Sequence, residues 1–254
     1  MKKSFFITIF VCSLFVLPFA FAANHHDSTP KVEPAAALQK LQEGNSRFVV
    51  GNTQHPNANT DCAKETAEHG QHPFATILCC SDSRVPLSVV FDQGIGDIFS
   101  VCAAGNVTGP AQNGSIEYGV AHTGTRLVVV LGHTKCGAVT AACTNGGHEC
   151  NIETLMRAIA PAVKRTEAST GKTGAEIIEP CCKENVYLQI EQLYRCSEIL
   201  REAARSGELQ IVGAIYDVST GKVDFIGAHP KNDELVKGKQ ATGVQVKRGL
   251  FGRR

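Results

Sequence analysis

The chain has 254 residues, a formal net charge of +1 and only 19% charged side chains, which excludes the electrostatic footprint of a nucleic-acid or anionic-membrane binder. Hydrophobic residues make up 43%, enough for one well-buried domain. The eleven cysteines include no Cys-x-x-Cys, which argues against thioredoxin-like redox chemistry.

Lys2 and Lys3, an almost wholly apolar run over 5–19, and the small residues of Ala20-Phe21-Ala22 read as a signal peptide spanning residues 1–22. The apolar run nearly reaches bilayer length, but Pro18 and the Ala-x-Ala end favour cleavage. The chain is therefore expected to be exported, most simply to the periplasm, with no stable membrane insertion once the signal is removed. Residues 23–33 are polar and are expected to form a flexible segment.

Pro34 opens a helical pattern with Leu38 and Leu41 on one face and Gly44-Asn45 as a stop. The stretch 51–71 is polar and turn-rich. Residues 74–79 and 98–102 read as strands, and 112–122 as a helix. The unbroken aliphatic run 127–131 is the pattern of a parallel strand covered on both faces. A helix is expected from about Gly137 and another over 151–167. The strongest helical pattern runs over 183–205, with Val186, Ile190, Leu193 and Leu200 on one side and Gly207 as its stop. Residues 209–217 and 223–226 read as strands joined by the turn Ser219-Thr220-Gly221-Lys222.

Strands alternating with helices imply an α/β fold with a mostly parallel central sheet, helices on both faces and an antiparallel edge strand. The compact domain is expected over 34–230. In 231–254 the residues Lys231, Lys237, Lys239, Lys247, Arg248, Arg253 and Arg254 outnumber Asp233 and Glu234, so this part reads as a basic tail.

The chemistry concentrates in two segments that each begin where a strand ends: Cys80-Ser81-Asp82-Ser83-Arg84, and Gly132-His133-Thr134-Lys135-Cys136-Gly137. Ligands of open α/β sheets gather at such carboxyl ends. Two thiolates and one imidazole match a tetrahedral Zn²⁺ with its fourth position open, the arrangement of a catalytic rather than a structural zinc. Asp82 and Arg84 bring an acid–base pair beside it. Neighbouring strand residues face opposite ways, so Cys79 and Cys80 cannot both reach one metal. Read singly, Cys80 and Cys136 also fit a disulfide, His133 a core histidine, and Asp82 and Arg84 a turn cap and an ion pair.

Taken together these residues resemble the β-class carbonic anhydrases. The likeness extends through Leu38, Leu41, Gly44-Asn45, Arg47-Phe48, Ala104-Gly105-Asn106, Ser115-Ile116-Glu117-Tyr118, Asn185-Val186 and Gly213-Ala214-Ile215-Tyr216-Asp217, roughly residues 35–227. It implies a zinc-dependent lyase that hydrates CO₂ to bicarbonate by means of a zinc-bound hydroxide, with Cys80, His133 and Cys136 as ligands and Asp82 and Arg84 as the catalytic pair. In some members the Asp swings onto the metal as a fourth ligand and closes the site, which gives Asp82 a second role. The resemblance also implies a homodimer or a multiple of dimers. The bicarbonate-regulated members use an Arg where this chain has Cys102, together with a Trp; the chain has no Trp, so that regulation is not expected here. Two other functions fit the same residues: hydrolysis of a CO₂-like molecule such as carbonyl sulfide or carbon disulfide, and a non-catalytic zinc or redox sensor.

Eight further cysteines remain in the exported chain: Cys62, Cys79, Cys102, Cys143, Cys150, Cys181, Cys182 and Cys196. Of these Cys143 and Cys150, which flank a turn-rich segment, form the expected local bridge. His148 and Glu149 read as loop surface. His25, His26, His55, His69 and His72 lie in polar segments, and any of them could shuttle protons.

Overall fold

The structure is a computed structural model that describes residues 31–146 and 150–238, all within one compact unit. The expected signal peptide, His25, His26, His148, Glu149 and the chain beyond 238 lie outside the described residues. No helix among the described residues is long and apolar enough to cross a membrane.

Five strands form one sheet in the order β2-β1-β3-β4-β5: β1 (Ala75–Cys79), β2 (Ile98–Cys102), β3 (Leu127–His133), β4 (Gln210–Tyr216) and β5 (Val223–Gly227). The first four run parallel and β5 pairs antiparallel with β4, as expected. Every residue of β1 and β3 is buried, because helices cover both faces. Side chains alternate between those faces. Ala75, Ile77 and Cys79 pack with Leu41 of helix α1 (Pro34–Val49) and with Phe91. Leu78, Val128 and Val130 pack on the other face with Val186, Ile190 and Leu193 of helix α7 (Ile178–Cys196). Between these helices lie α2 (Thr60–His69), α3 (Leu87–Val90), α4 (Pro110–Ala121), α5 (Gly137–Cys143) and α6 (Ile152–Thr170). α8 (Glu198–Arg205) and α9 (Asn232–Lys237) follow α7.

Four expectations about the elements change. Gly44-Asn45 is not a stop, since α1 continues to Val49. Gly44 is there because a Cβ would lie 1.8 Å from the Phe91 carbonyl oxygen. Asn45 looks like a terminator but works across the fold, its amide donating to the carbonyls of Val90 and Gly221 while its oxygen accepts from the Val223 N–H. Gly44→Ala is therefore expected to cost about 3 kcal/mol, because the clash is with backbone; in a thermal melt that is a Tm lower by roughly 6–12 °C, and an unchanged Tm would refute the close approach. Helix α2 sits in the stretch read as turns; it buries no residue, so it carries no apolar stripe. The 183–205 pattern is two helices, broken at Ser197, whose backbone turns extended and whose hydroxyl accepts the Leu200 N–H as a new N-cap. Finally, the packed structure runs into the segment read as tail, because Val236 of α9 is buried against the α7 face of the sheet.

The expected Cys143–Cys150 bridge is absent: both are free thiols, Cys143 buried in helix α5 and Cys150 exposed. Cys143 is instead buried in a cluster with Met156 and Ile159 of α6 and Cys181 of α7.

Candidate metal centre

Cys80 follows the last residue of β1 and His133 ends the adjacent β3, so strand pairing brings together two residues 53 positions apart in the chain. The backbone then turns through Lys135, which is left-handed at φ 55°, and presents Cys136 just before α5. The Cys80 and Cys136 sulfurs and the His133 nitrogen lie within 4.8 Å of one another, all buried; among the described residues this is the sole such group. Cys79 points into the core on the opposite face, while Cys80 and Cys136 share a cluster with Val107, Val139 and Ile159.

Each donor is oriented by the chain. His133 Nδ1 is 2.9 Å from the Thr134 carbonyl and donates to it, which leaves Nε2 with its lone pair. That Nε2 is buried without a hydrogen-bond partner, an orphan acceptor aimed into the group. Cys80 Sγ accepts the Gly105 N–H at 3.2 Å. Gly105, at φ 72°, is itself held by a buried chain of amides: Asn185 donates to its carbonyl at 2.8 Å, and Gln189 donates to Asn185 at 3.0 Å. The hydrogen bond from Cys136 does most to lower the Cys80 thiol, against burial and with help from Gly105; the same bond and burial push Cys136 up. Two buried sulfurs, an unpartnered imidazole nitrogen and no fourth member of the group among the described residues fit a zinc ion with one open position.

Asp82 stands at the rim of this group, its Oδ2 3.9 Å from His133 Nε2. Arg84 grips it with a fork, Nε to Oδ1 at 2.9 Å and Nη2 to Oδ2 at 2.8 Å, and the Arg84 N–H adds a third bond at 3.0 Å. These bonds hold the carboxyl well below the usual carboxylate range. Arg84 is anchored in turn by the Lys135 carbonyl at 3.1 Å, so the second ligand segment also positions the carboxylate of the first. Of the expected shuttle histidines, His55 hydrogen-bonds Thr53 and His69 lies near Glu68; neither His55, His69 nor His72 belongs to the ligand group.

Sequence reasoning named these five residues but not the groups that orient them. Gly105 and Asn185 fell within the resemblance without a role, and the carbonyls of Thr134 and Lys135 leave no side-chain signal.

A family model described as carbonic anhydrase matches residues 75–223, which contain both ligand segments. Carbonic anhydrase 2 of Mycobacterium tuberculosis is 37% identical over 208 residues, covering 78% of this chain and 97% of that relative. The carbonic anhydrase of Mycolicibacterium smegmatis is 34% identical over 77% of this chain and 95% of its own length. The crystal structure of the β-carbonic anhydrase CafA of Aspergillus fumigatus superposes with a TM-score of 0.60 at 30% identity, covering 70% of this chain and 90% of that one. The chain belongs to the β-class carbonic anhydrases. It is a lyase that interconverts CO₂ and bicarbonate, and the β-carbonic anhydrases are zinc enzymes. The mostly parallel five-stranded sheet with one antiparallel edge pair matches the β-carbonic anhydrase structures, and the Cys–His–Cys group at the carboxyl ends of β1 and β3 is consistent with zinc binding.

Proposed function

We propose that this carbonic anhydrase holds Zn²⁺ on Cys80, His133 and Cys136, and that Asp82 and Arg84 are its catalytic pair. The observation that carries the assignment is the buried His133 Nε2, left without a partner between two sulfurs. When bound, zinc supplies a Lewis acid that makes water a nucleophile near neutral pH. Two thiolates cancel the ion's charge, so the chain itself must contribute more than an all-histidine site does.

Asp82 is the group placed to contribute. Its Arg84 bonds keep it ionised, and so able to accept and orient a hydrogen bond from water in the open position. Arg84 fixes both carboxylate oxygens and, through Lys135, ties them to the segment bearing His133 and Cys136. Val107 and Val139 give the centre apolar walls that suit CO₂, which needs no polar anchor. A swing of Asp82 onto the metal would first break the Arg84 fork, which makes the closed state a separate conformation from the one described.

The carbonic anhydrase reading is tested by stopped-flow CO₂ hydration on zinc-replete protein, beside carbonyl sulfide and carbon disulfide. CO₂ turnover far above that of the sulfur substrates, with one zinc per chain by metal analysis, is the expected result. A full complement of zinc with no CO₂ turnover at mildly alkaline pH would overturn it.

We further propose export to the periplasm after signal cleavage, supported by the 1–22 pattern. A homodimer or a multiple of dimers is supported by the tetrameric β-carbonic anhydrases of Sordaria macrospora, which share the fold at a TM-score of 0.58.

A further inference from the structure

Cys79 and Cys102 sit opposite each other at the carboxyl ends of β1 and β2, paired in register, with their sulfurs 3.1 Å apart. Adjacent strands run about 4.8 Å apart, inside the Cα separation of about 4.4–6.8 Å that a disulfide requires. Closing the sulfurs to about 2.05 Å therefore needs an approach of about 1 Å, within the reach of side-chain rotation. The two thiols differ in access. Cys102 is exposed and opens into a cleft of about 410 Å³ whose lining includes Val85, Pro86, Ser88, Ile98 and Ser100, whereas Cys79 is fully buried behind it. Outside the metal centre, Cys143 and Cys181 also neighbour each other, but both are buried, so a dissolved oxidant meets neither.

We propose that Cys79 and Cys102 are an oxidation site, a disulfide that fastens the edge strand β2 to β1 apart from the metal ligands. Cys102 attacks a disulfide co-reactant as its thiolate and displaces one thiol, forming a mixed disulfide. Cys79 then attacks the Cys102 sulfur and releases the second thiol. The protein loses two protons and two electrons, and the co-reactant is reduced to two thiols. Cys79 lies in the core cluster on one face and Cys80 in the metal cluster on the other, so the bond leaves the ligand sulfurs untouched. The bridged loop nonetheless carries Cys80, Asp82 and Arg84, so its two ends become covalently joined beneath the site.

The test is to incubate zinc-loaded enzyme with excess glutathione disulfide, denature and alkylate it, then map the peptides by fragmentation that separates Cys79 from Cys80. Two fewer alkylated thiols and a peptide bridging Cys79 to Cys102 are expected. Tm should rise by roughly 5–10 °C and fall back on adding a dithiol reductant. Cys102→Ser should abolish both the bridge and the Tm response while keeping CO₂ hydration. An unchanged thiol count, a glutathione adduct on Cys102 that never resolves, or a bridge between any other pair would overturn the proposal. So would a Tm response that persists in Cys102→Ser. None of these readouts depends on the assignment of the metal ligands.

Discussion

Cys136→Ser is expected to leave the protein without zinc and without CO₂ hydration above the rate in buffer. Cys136 is 1% exposed and is one of three donors in the sole such group among the described residues, and Asp82 at its rim is held by the Arg84 fork. Structural zinc sites of four ligands bind with about 10–16 kcal/mol, so one ligand's share is roughly 3–4 kcal/mol; that weakens binding about 10²–10³-fold. The neutral serine hydroxyl also fails to supply the second negative charge that offsets the cation. Metal analysis after dialysis against a mild chelator reads the loss, and far-UV circular dichroism shows whether α5, which starts at the next residue, survives. A folded Cys136→Ser protein that keeps one zinc per chain would remove Cys136 from the ligand set.

Asp82→Asn should separate binding from turnover. The three ligands stay, so zinc should remain at one per chain. The amide cannot become a proton acceptor, and only one of its two arms can accept from the Arg84 fork that now grips both oxygens. Loss of one positioned, charged hydrogen-bonding group at a reacting centre typically costs about 10²–10³-fold, which is the loss in kcat/KM expected here. Because Arg84 holds Asp82 below the usual carboxylate range, the wild-type group is ionised at every pH where the enzyme works. The Asn variant should therefore be impaired across the whole alkaline range, with no recovery at high pH. Full activity in zinc-replete Asp82→Asn would show that the carboxylate is a structural turn group only.

Residues acting through their own side chains on a regular element were the legible part of this protein. The aliphatic run of β3 announces a strand covered on both faces, and His133 at its end can be placed from that run alone. The spacing of Cys80, Asp82 and Arg84 is short enough that one turn fixes it. What stayed hidden acts through backbone or across long separations. Gly105 serves Cys80 with an N–H, Lys135 serves Arg84 with a carbonyl, and Asn185 reaches Gly105 from 80 positions away. Gly44-Asn45 misleads for a related reason: both residues have the chemistry of a helix end, yet here they answer to a carbonyl and a hairpin elsewhere in the fold. The turn-rich flanks of Cys143 suggested a local bridge, but its side chain follows the apolar face of α5 into the core.

The amide of Asn45 has a consequence for the order in which this chain takes shape. It holds the Val223 N–H from 178 positions away, so the first helix cannot be fully tied down until the last hairpin exists. Contacts that far apart are the slowest to form. The anchoring of α1 is thus among the last contacts expected to form when the described part of the chain folds, after the parallel pairing of β1 with β3.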